Sequence, residues 1–381
     1  REQLEEQMRM EASEGAQVII TSYDLLKRDR AAYLGRTFEY EIIDEAQVIK
    51  NAKTQGAKAV KEISANARFA LTGTPVENRL SELWSIFDFL MPGFLYSYRK
   101  FRERYELPIV KNQDPEALTA LRRMTGPFVL RRLKKDVLRE LPGKEERIVY
   151  SAASGRQQKL YTASALKLKE ALAGGAWSGN GKLEVLSQLM RLRQICCDPA
   201  LCFEDYTGES AKLETCVSLI ASASAAGHKI LLFSQFASML ERIRERLLQE
   251  GISSHLLVGA TPKEERSRMV QAFASDEVPV FLISLKAGGT GLNLTAADIV
   301  IHYDPWWNVA AQNQATDRAY RIGQEKPVTV YKLILKDTIE ENLLKLQNAK
   351  LALAAQVVSE GMVSLGDLSQ NELMELFEQN P

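Results

Sequence analysis

The sequence predicts an α/β protein with two parallel-sheet lobes and helical insertions. Strand and helix patterns alternate over residues 1–92 and again from residue 226, as in parallel sheets, whereas helical periodicity dominates between them. Apolar strand patterns lead into acidic or glycine-rich segments, as they do where ligands bind at the carboxyl ends of parallel strands. With 381 residues, 45% of them hydrophobic, the chain is long enough for two or three globular domains.

Hydrophobic patterning divides the chain into four parts. We expect a first lobe with a helical protrusion, a linker with the protrusion of the second lobe, the second lobe itself and closing helices, in residues 1–143, 144–225, 226–340 and 341–381. Outside the second lobe we expect a strand at 17–21, a helix at 81–90 and a strand at 147–150 that joins the lobes. Within the second lobe we expect strands at 229–234, 254–258, 279–284, 298–303 and 327–334, with helices at 237–250, 263–274 and 309–321.

An acidic pair follows an apolar strand pattern in the first lobe. Residues 40–47 read YEIIDEAQ, so Asp44 and Glu45 come directly after the strand. This is the arrangement of a Walker B site, in which Asp44 would hold Mg²⁺ through water and Glu45 would orient or deprotonate the attacking water. Acidic residues also cap helices, so the pair alone does not decide the role.

A hydroxyl-rich turn follows the next strand pattern. Residues 69–78 read FALTGTPVEN and place Thr72, Gly73 and Thr74 after the apolar run. Threonines in such a turn can bridge a hydrolytic site to a neighbouring surface. Capping of the helix near Ser81 is the alternative for one of them.

The second lobe contains a glycine-rich loop and a tryptophan pair. Residues 284–294 read SLKAGGTGLNL, and these glycines permit tight turns and exposed N–H groups that can hold phosphate. An ordinary strand-to-helix turn is the alternative. After the next strand pattern, Trp306 and Trp307 follow Pro305. Because exposing adjacent tryptophans is costly, we expect them to pack between lobes or to stack on a partner.

Two arginines follow in residues 314–324, which read QATDRAYRIGQ. Arg318 and Arg321 are three residues apart, so in a helix they would share one face. Their guanidinium groups suit phosphate oxygens and could neutralise charge on a transferring γ-phosphoryl group. The spacing alone is also typical of a solvated helix face.

In this order, these runs resemble the SWI/SNF-type branch of the superfamily-two helicase-like ATPases, which translocate along double-stranded DNA. The resemblance extends from about residue 16 to the C-terminus and includes ITSYD at 20–24 and KILLFSQF at 229–236. It implies two RecA-like lobes, an ATP-hydrolysing enzyme, ATP and Mg²⁺ as cofactors, and double-stranded DNA as partner. Proteins bound to that DNA would be remodelled or displaced.

The resemblance also assigns roles to residues. Asp44 and Glu45 match the catalytic acids of a DEAQ box, and Arg318 and Arg321 match the arginine fingers. Residues expected to bind nucleotide or to couple its hydrolysis to movement are Gln47, Thr72, Gly73, Thr74, Gly289, Gly291, Gln314, Asp317 and Gln324. Residues expected to contact DNA are Thr21, Ser22, Ser234, Gln235, Lys286, Thr290, Trp306 and Trp307. Gln47 and Tyr320 stand where many relatives have histidine, and neither change suggests an inactive site.

One motif that the family needs is missing. The nearest match to a P-loop, residues 176–183 (AWSGNGKL), lacks the first glycine and the final hydroxyl, and it lies between helical patterns. Because the chain opens with Arg1 in mid-pattern, we expect a longer protein whose N-terminal half-lobe is absent here, so that the first lobe is truncated. The chain alone is therefore expected to hydrolyse ATP poorly. Residues 341–381 are expected to brace one lobe against the other, as similar segments do in the family.

The overall charge does not favour nucleic acid. Lys plus Arg and Asp plus Glu both number 49, so the net charge is zero and DNA affinity must come from local basic tracts. The densest tracts lie at 99–104 and 131–135. The first is equally well explained as a solvated helix face. For the second we favour a contact with DNA or with the other lobe.

Cysteine and histidine spacing gives no metal pattern. Cys196, Cys197, Cys202 and Cys216 do not form Cys-x-x-Cys pairs, so we expect reduced structural thiols, and we also take the three histidines as structural. No run of 18 apolar residues and no secretory signal pattern occur, so no membrane partner is expected. The expected location is cytoplasmic: nucleoid-associated in a prokaryote, which we favour, or nuclear in a eukaryote.

Two other functions stay open. A strand-separating helicase would share the ATPase motifs, although the Trp-Trp and Arg-Ile-Gly-Gln runs fit the translocase branch better. A non-catalytic DNA-binding or partner-docking module would explain the missing P-loop.

Overall fold

A computed structural model of the chain describes residues 18–73, 80–112, 114–130, 132, 134–138, 140–153, 155–174, 181–285, 287, 292–345 and 347. The described residues form two compact units, and along the chain the first unit ends at Leu130. The domain boundaries expected at residues 143, 225 and 340 stay a prediction.

The first unit combines one short parallel strand pair with helices. In chain order its elements are α1 (Tyr23–Arg28), α2 (Arg30–Tyr33), β1 (Thr37–Ile43), a 3₁₀ helix (Ala46–Ile49), α3 (Gln55–Lys61), β2 (Ser64–Ala70), α4 (Leu80–Leu90), α5 (Tyr98–Phe101), a π-helix (Arg102–Glu106), α6 (Leu107–Asn112), α7 (Pro115–Thr125) and a second 3₁₀ helix (Gly126–Phe128).

Helix α4 connects the two hydrophobic clusters of the first unit. Ile86 and Phe89 pack with residues of α1, α3 and the turn after β1. Leu83 and Phe87, on an adjacent stripe, pack with Phe101 and the following helices. Spacings of three and four residues place these side chains on neighbouring helix faces, so the predicted helix at 81–90 is confirmed.

The prediction of a strand at 17–21 is wrong for residues 18–21, the part that the structure describes. Residues 18–21 have no strand partner among the described residues, and Val18 and Ile20 are 79% and 92% exposed. An apolar run becomes a strand only where its backbone N–H and C=O groups find a neighbouring strand.

One face of the strand pair is apolar and exposed. Strands β1 and β2 are parallel, with Ile43 beside Ala70. Alternate side chains point to opposite faces, so Glu41 and Ile43 are buried, whereas Tyr40 and Ile42 are 60% and 62% exposed. Phe69 of β2 lies near Tyr40 on the exposed face.

The second unit is built on a larger parallel sheet. In chain order its elements are α8 (Lys134–Val137), β3 (Lys144–Ser151), α9 (Gly155–Ala173), α10 (Gly181–Cys197), a 3₁₀ helix (Pro199–Leu201), α11 (Ala211–Ala225), β4 (Ile230–Ser234), α12 (Ala237–Gln249), β5 (Ser254–Leu257), α13 (Lys263–Ser275), β6 (Val280–Ser284), β7 (Ile299–His302), α14 (Val309–Thr316) and β8 (Val328–Leu335).

Six parallel strands form this sheet, in the order β3-β8-β7-β4-β6-β5. One face packs against α11 and α12, and the other against α13 and the region around α14. Because both faces are covered, central strands β4 and β6 are buried throughout, and their sequences read as continuous apolar runs. The predicted α/β parallel-sheet fold class is confirmed, with all five strands of the second lobe within two residues of their predicted ends.

Strand β3 belongs to this sheet. The strand predicted at 147–150 is confirmed and is longer than predicted, since β3 runs for 8 residues. Its expected place as a strand that joins the lobes is wrong, because it pairs along its length with β8 of this sheet, from Lys144 beside Val328 to Ser151 beside Leu335. Its partner lies far away in sequence, so no local pattern could indicate this edge position.

Candidate functional site

The acidic pair lies in a sharp turn at the carboxyl end of β1. Asp44 is exposed, and Glu45 adopts a left-handed conformation with φ 50° and ψ 53°. Flanking hydrogen bonds hold this turn: Leu71 N–H donates to the Ile43 carbonyl at 2.8 Å, and Ala46 N–H donates to the Leu71 carbonyl at 2.9 Å. Left-handed backbone is unfavourable for a side chain with a Cβ, and such residues cluster at functional sites.

A chain of hydrogen bonds orients the Glu45 carboxylate. The Thr72 hydroxyl donates to Gln47 Oε1 at 2.8 Å, and Gln47 Nε2 donates to Glu45 Oε2 at 2.5 Å. The structure thus brings together Glu45, Gln47 and Thr72, which come from two separate sequence runs. Gln47 bridges as an amide and cannot itself supply a proton.

Tyr23 joins the same site, although it was not among the predicted residues. Its hydroxyl donates to the Asp44 carbonyl at 2.7 Å. Burial, followed by the nearby Asp44 and Glu45 carboxylates, raises the pKa of Tyr23 to about 12, so it stays a donor. Its place in the ITSYD run at 20–24 was the available signal. In the same run Thr21 and Ser22 are exposed, and the Ser22 hydroxyl caps α1 by accepting from Leu25 N–H.

The arginine pair lies outside the helix predicted for it. Helix α14 ends at Thr316, because the N–H groups of Arg318 and Ala319 donate to carbonyls three residues back, those of Ala315 and Thr316, and not four residues back. The Arg318 carbonyl accepts from Leu294 N–H at 3.0 Å, and the Ala319 carbonyl accepts from Gln324 Nε2 at 3.1 Å. The prediction that Arg318 and Arg321 share one helix face is therefore wrong: Arg318 is buried, whereas Arg321 is exposed.

Gln324 holds the turn that contains the arginines. Its amide also donates to the carbonyls of Thr295 and Ala297 at 3.0 and 2.8 Å, and the side chain is buried. Gln324 thus stabilises the turn and does not present its amide to solvent. Gln314, on α14, is half-buried.

The carboxyl ends of β4 and β7 meet at a buried aspartate. Asp304 Oδ1 accepts from the Ser234 hydroxyl at 2.5 Å and from Gln235 N–H at 3.3 Å. Helix α10 contributes Arg193, which donates to the Pro305 carbonyl at 2.6 Å and lies 3.8 Å from Asp304 Oδ2. Ser234 has no exposed surface, so the prediction that it contacts DNA directly is wrong; it positions Asp304 instead.

Both tryptophans pack within the second unit. Trp306 lies against the sheet cluster of α13 and α14, and Trp307 lies against the cluster of α9 and α10. The Arg193 guanidinium sits 5.3 Å from the Trp307 ring centroid. Two hydrophobic clusters of one unit therefore account for the tryptophan pair, which was expected between lobes or on a partner.

Several predicted site residues lie outside the described residues. They are Thr74, Lys286, Gly289, Thr290 and Gly291. The loop at 175–180, most of the closing region and parts of the basic tract at 131–135 also lie outside them. Gly73 is described and is exposed.

The described residues contain no group of three or more His, Cys, Asp or Glu side chains arranged to hold a metal. Mg²⁺ often binds through one or two carboxylates together with substrate phosphates and water, and the exposed Asp44 carboxylate fits that mode. The four cysteines are free, and burial raises the pKa of Cys197 well above its usual value.

The histidines hydrogen-bond to structural neighbours. His228 and His255 pair with Asp298 and Asp276 at 2.7 and 2.6 Å. His302 bonds the Thr316 hydroxyl at 2.8 Å, and its burial lowers its pKa to about 3. None of these contacts includes a predicted site residue.

Two family models match the chain: the SNF2-related domain over residues 2–201 and the helicase conserved C-terminal domain over residues 211–323. The chain belongs to the SNF2-related family. This membership confirms the resemblance to SWI/SNF-type ATPases on which the site residues were predicted.

Bacterial relatives and a solved archaeal structure support the same family membership. The chain is 42% identical over 378 residues to the putative ATP-dependent helicase/translocase YwqA of Bacillus subtilis, covering 96% of this chain and 40% of that protein. It is 40% identical over 371 residues to an uncharacterized ATP-dependent helicase of Mycoplasma genitalium, covering 95% and 35%. The SWI2/SNF2 ATPase core of Sulfolobus solfataricus in complex with dsDNA matches with a TM-score of 0.53 and 36% identity, over 93% of this chain and 76% of that one.

The chain thus spans 35–40% of the length of these two curated relatives. The structural match supports the predicted RecA-like lobes. Among the described helices, none is long and apolar enough to cross a membrane.

Proposed function

We propose that this chain forms part of the motor of a longer, ATP-driven double-stranded-DNA translocase. The observation that carries the proposal is the hydrogen-bond chain from Thr72 through Gln47 to Glu45, beside the exposed Asp44. A carboxylate fixed by a second residue can orient a water molecule for attack. Similarity to YwqA, a putative ATP-dependent helicase/translocase, and to the archaeal ATPase core in complex with dsDNA supports the extension to DNA.

The proposed chemistry divides among a few side chains. Asp44 would hold Mg²⁺ through water, and the ion would neutralise phosphate charge. Glu45 would orient the attacking water. Arg321, exposed in the second unit, would stabilise the charge that develops on the γ-phosphoryl group. The buried Arg318 would support the turn that presents Arg321.

Contacts to DNA would come from polar groups that are exposed or half-buried. Thr21 and Ser22 are exposed in the first unit, and the Gln235 side chain is half-buried beside Asp304 in the second. Hydroxyl and amide groups can bind phosphate oxygens without reading bases, which suits movement along any sequence. Proteins bound to that DNA would be displaced as the motor advances.

ATP turnover with and without double-stranded DNA tests the proposal. The 381 residues contain no G-x-x-x-x-G-K-[S/T] run, so we expect little turnover by this chain alone and DNA-stimulated turnover by a longer protein that includes it and a P-loop. In the longer protein, Glu45→Gln should lower kcat by about 10²-fold or more. The matched control, Lys336→Met, changes an exposed lysine and should leave turnover unchanged.

Other outcomes would favour the alternative functions. DNA binding without turnover by either protein would favour a binding module. Unwinding of forked duplexes without displacement of a triplex strand would favour a strand-separating helicase.

A further inference from the structure

Lys134 contacts the loop that carries the arginines. It is the first residue of α8, within the second unit. Its Nζ lies 2.7 Å from Asp317 Oδ1 and donates to the Tyr320 carbonyl at 3.0 Å. The same ammonium lies 5.8 Å from the centroid of the Tyr320 ring. One side chain therefore binds loop 317–321 through a carboxylate, a carbonyl and an aromatic ring.

Lys144 adds a second cation at the same ring. It lies at the start of β3, with Nζ 6.0 Å from the Tyr320 centroid, and it pairs with Glu146 at 2.9 Å. Lys332 pairs with the same carboxylate at 2.8 Å. Burial opposes charge on Glu146, but hydrogen bonds from Lys332 and Lys144 outweigh it and lower the pKa of Glu146 to about 2. Lys144 is thus itself held in place.

The contact reaches the peptide that precedes Arg321. Of the three carbonyls between the arginines, those of Arg318 and Ala319 are bonded by Leu294 and Gln324, and that of Tyr320 is bonded by Lys134. Lys134 is 39% exposed, so replacing it should not disturb the core. An exposed ion pair alone stabilises little, but here it acts together with a charge-assisted hydrogen bond and a cation–π contact.

We propose that Lys134, assisted by Lys144, is a positioning residue: it holds loop 317–321 in one conformation and thereby fixes the position of Arg321. The catalytic consequence of this inference rests on the proposed function, but the contact between Lys134 and loop 317–321 can be tested without catalysis. It also gives a reason for tyrosine at position 320: its ring faces attract lysine, whereas a protonated histidine would repel two neighbouring ammonium groups.

The first test measures turnover in the longer protein. Lys134→Met should lower DNA-stimulated kcat about tenfold, because small misplacements of a charged group near the reacting phosphate are costly. The KM for ATP and the unfolding temperature should stay at their wild-type values. Lys134→Arg, which keeps the charge, should recover most of the loss, and Lys336→Met should match wild type. A wild-type kcat in Lys134→Met overturns the proposal, whereas absence of turnover in the wild type counts only against the proposed function.

The second test needs no activity. Arg321 and Ile322 are exposed, so trypsin can cleave between them once the loop loosens. In the 381-residue chain, the Lys134→Met and Tyr320→Leu variants should be cleaved after Arg321 about tenfold faster than wild type, because local opening of the loop limits cleavage. Tyr320→Phe and Lys336→Met should cleave at the wild-type rate. Equal cleavage rates in wild type and Lys134→Met would overturn the proposal that Lys134 holds the loop.

Discussion

Glu45 combines a hydrogen-bonded carboxylate with an unfavourable backbone conformation. Its carboxylate is held by Gln47, while its backbone has a positive φ that glycine would adopt more easily. A sequence optimised for stability alone would not place glutamate there. The strained backbone and the hydrogen-bonded carboxylate together support a functional role for this position.

Replacing Glu45 should separate strain from chemistry. Glu45→Gly removes both the carboxylate and the unfavourable conformation, whereas Glu45→Ala removes only the carboxylate. We expect the glycine variant to be more stable than the alanine variant by about 1 kcal/mol, with turnover lost in both. Urea unfolding of the two variants measures the difference. Equal stability would show that the left-handed backbone at Glu45 costs nothing.

Gln47 differs from the histidine that many relatives have at this position, yet it still links its two neighbours by hydrogen bonds. Its amide donates to Glu45 and accepts from Thr72, so both halves of the side chain are used. A neutral histidine also offers one donor and one acceptor, so either residue could link the two neighbours.

At the scale of elements, sequence patterns located the second-lobe strands because burial on both faces of a parallel sheet gives continuous apolar runs. They failed where distant residues decide the outcome. Helix α14 gives way to a turn in which Leu294 and Gln324 bind the carbonyls of Arg318 and Ala319, and β3 lies at the sheet edge beside β8. The candidate site residues were predicted from family motifs, but the burial of Ser234 and the contacts of Tyr23 and Lys134 depend on tertiary structure and could not be predicted in this way.

The strand pair β1–β2 should carry a pH dependence of stability. Glu41 is buried on β1 and accepts from Arg68 Nε at 3.1 Å. Burial raises the pKa of Glu41 to about 7, against 4.5 for a free side chain, although Arg68 opposes the shift. Because the folded state binds this proton more tightly, its stabilising contribution is complete below pH 4.5 and is lost as the pH rises through 7.

Glu41→Gln should remove that dependence, since the amide stays neutral and still offers an oxygen to Arg68. We expect the variant to gain stability relative to wild type as the pH rises from 5 to 8. Urea unfolding at several pH values, followed by a probe in the first unit, checks this. Parallel profiles for the two proteins would show that Glu41 does not titrate in this window.

For the whole molecule, equal numbers of acidic and basic residues mean that charge acts through specific pairs and not through a global field. The deepest pair described is Lys212 with Glu340, which are 0% and 1% exposed and 128 residues apart. The Glu340 carboxylate also accepts from Leu335 N–H at 2.8 Å. The pair therefore joins α11 to the end of β8 and to the helical segment that follows it.

Removing one partner of this pair should destabilise the second unit selectively. Lys212→Met leaves Glu340 buried without its counter-charge, which we expect to cost about 3–5 kcal/mol. The double variant Lys212→Met with Glu340→Leu buries no unpaired charge and should recover most of that loss. Hydrogen exchange followed by mass spectrometry resolves the effect by region. Peptides of β4 and β6 should lose protection in the single variant, and those of β1 and β2 should keep it because the first unit has hydrophobic clusters of its own. If the double variant exchanges as fast as the single one, the ion pair itself, and not the avoidance of an unpaired charge, stabilises this part of the molecule.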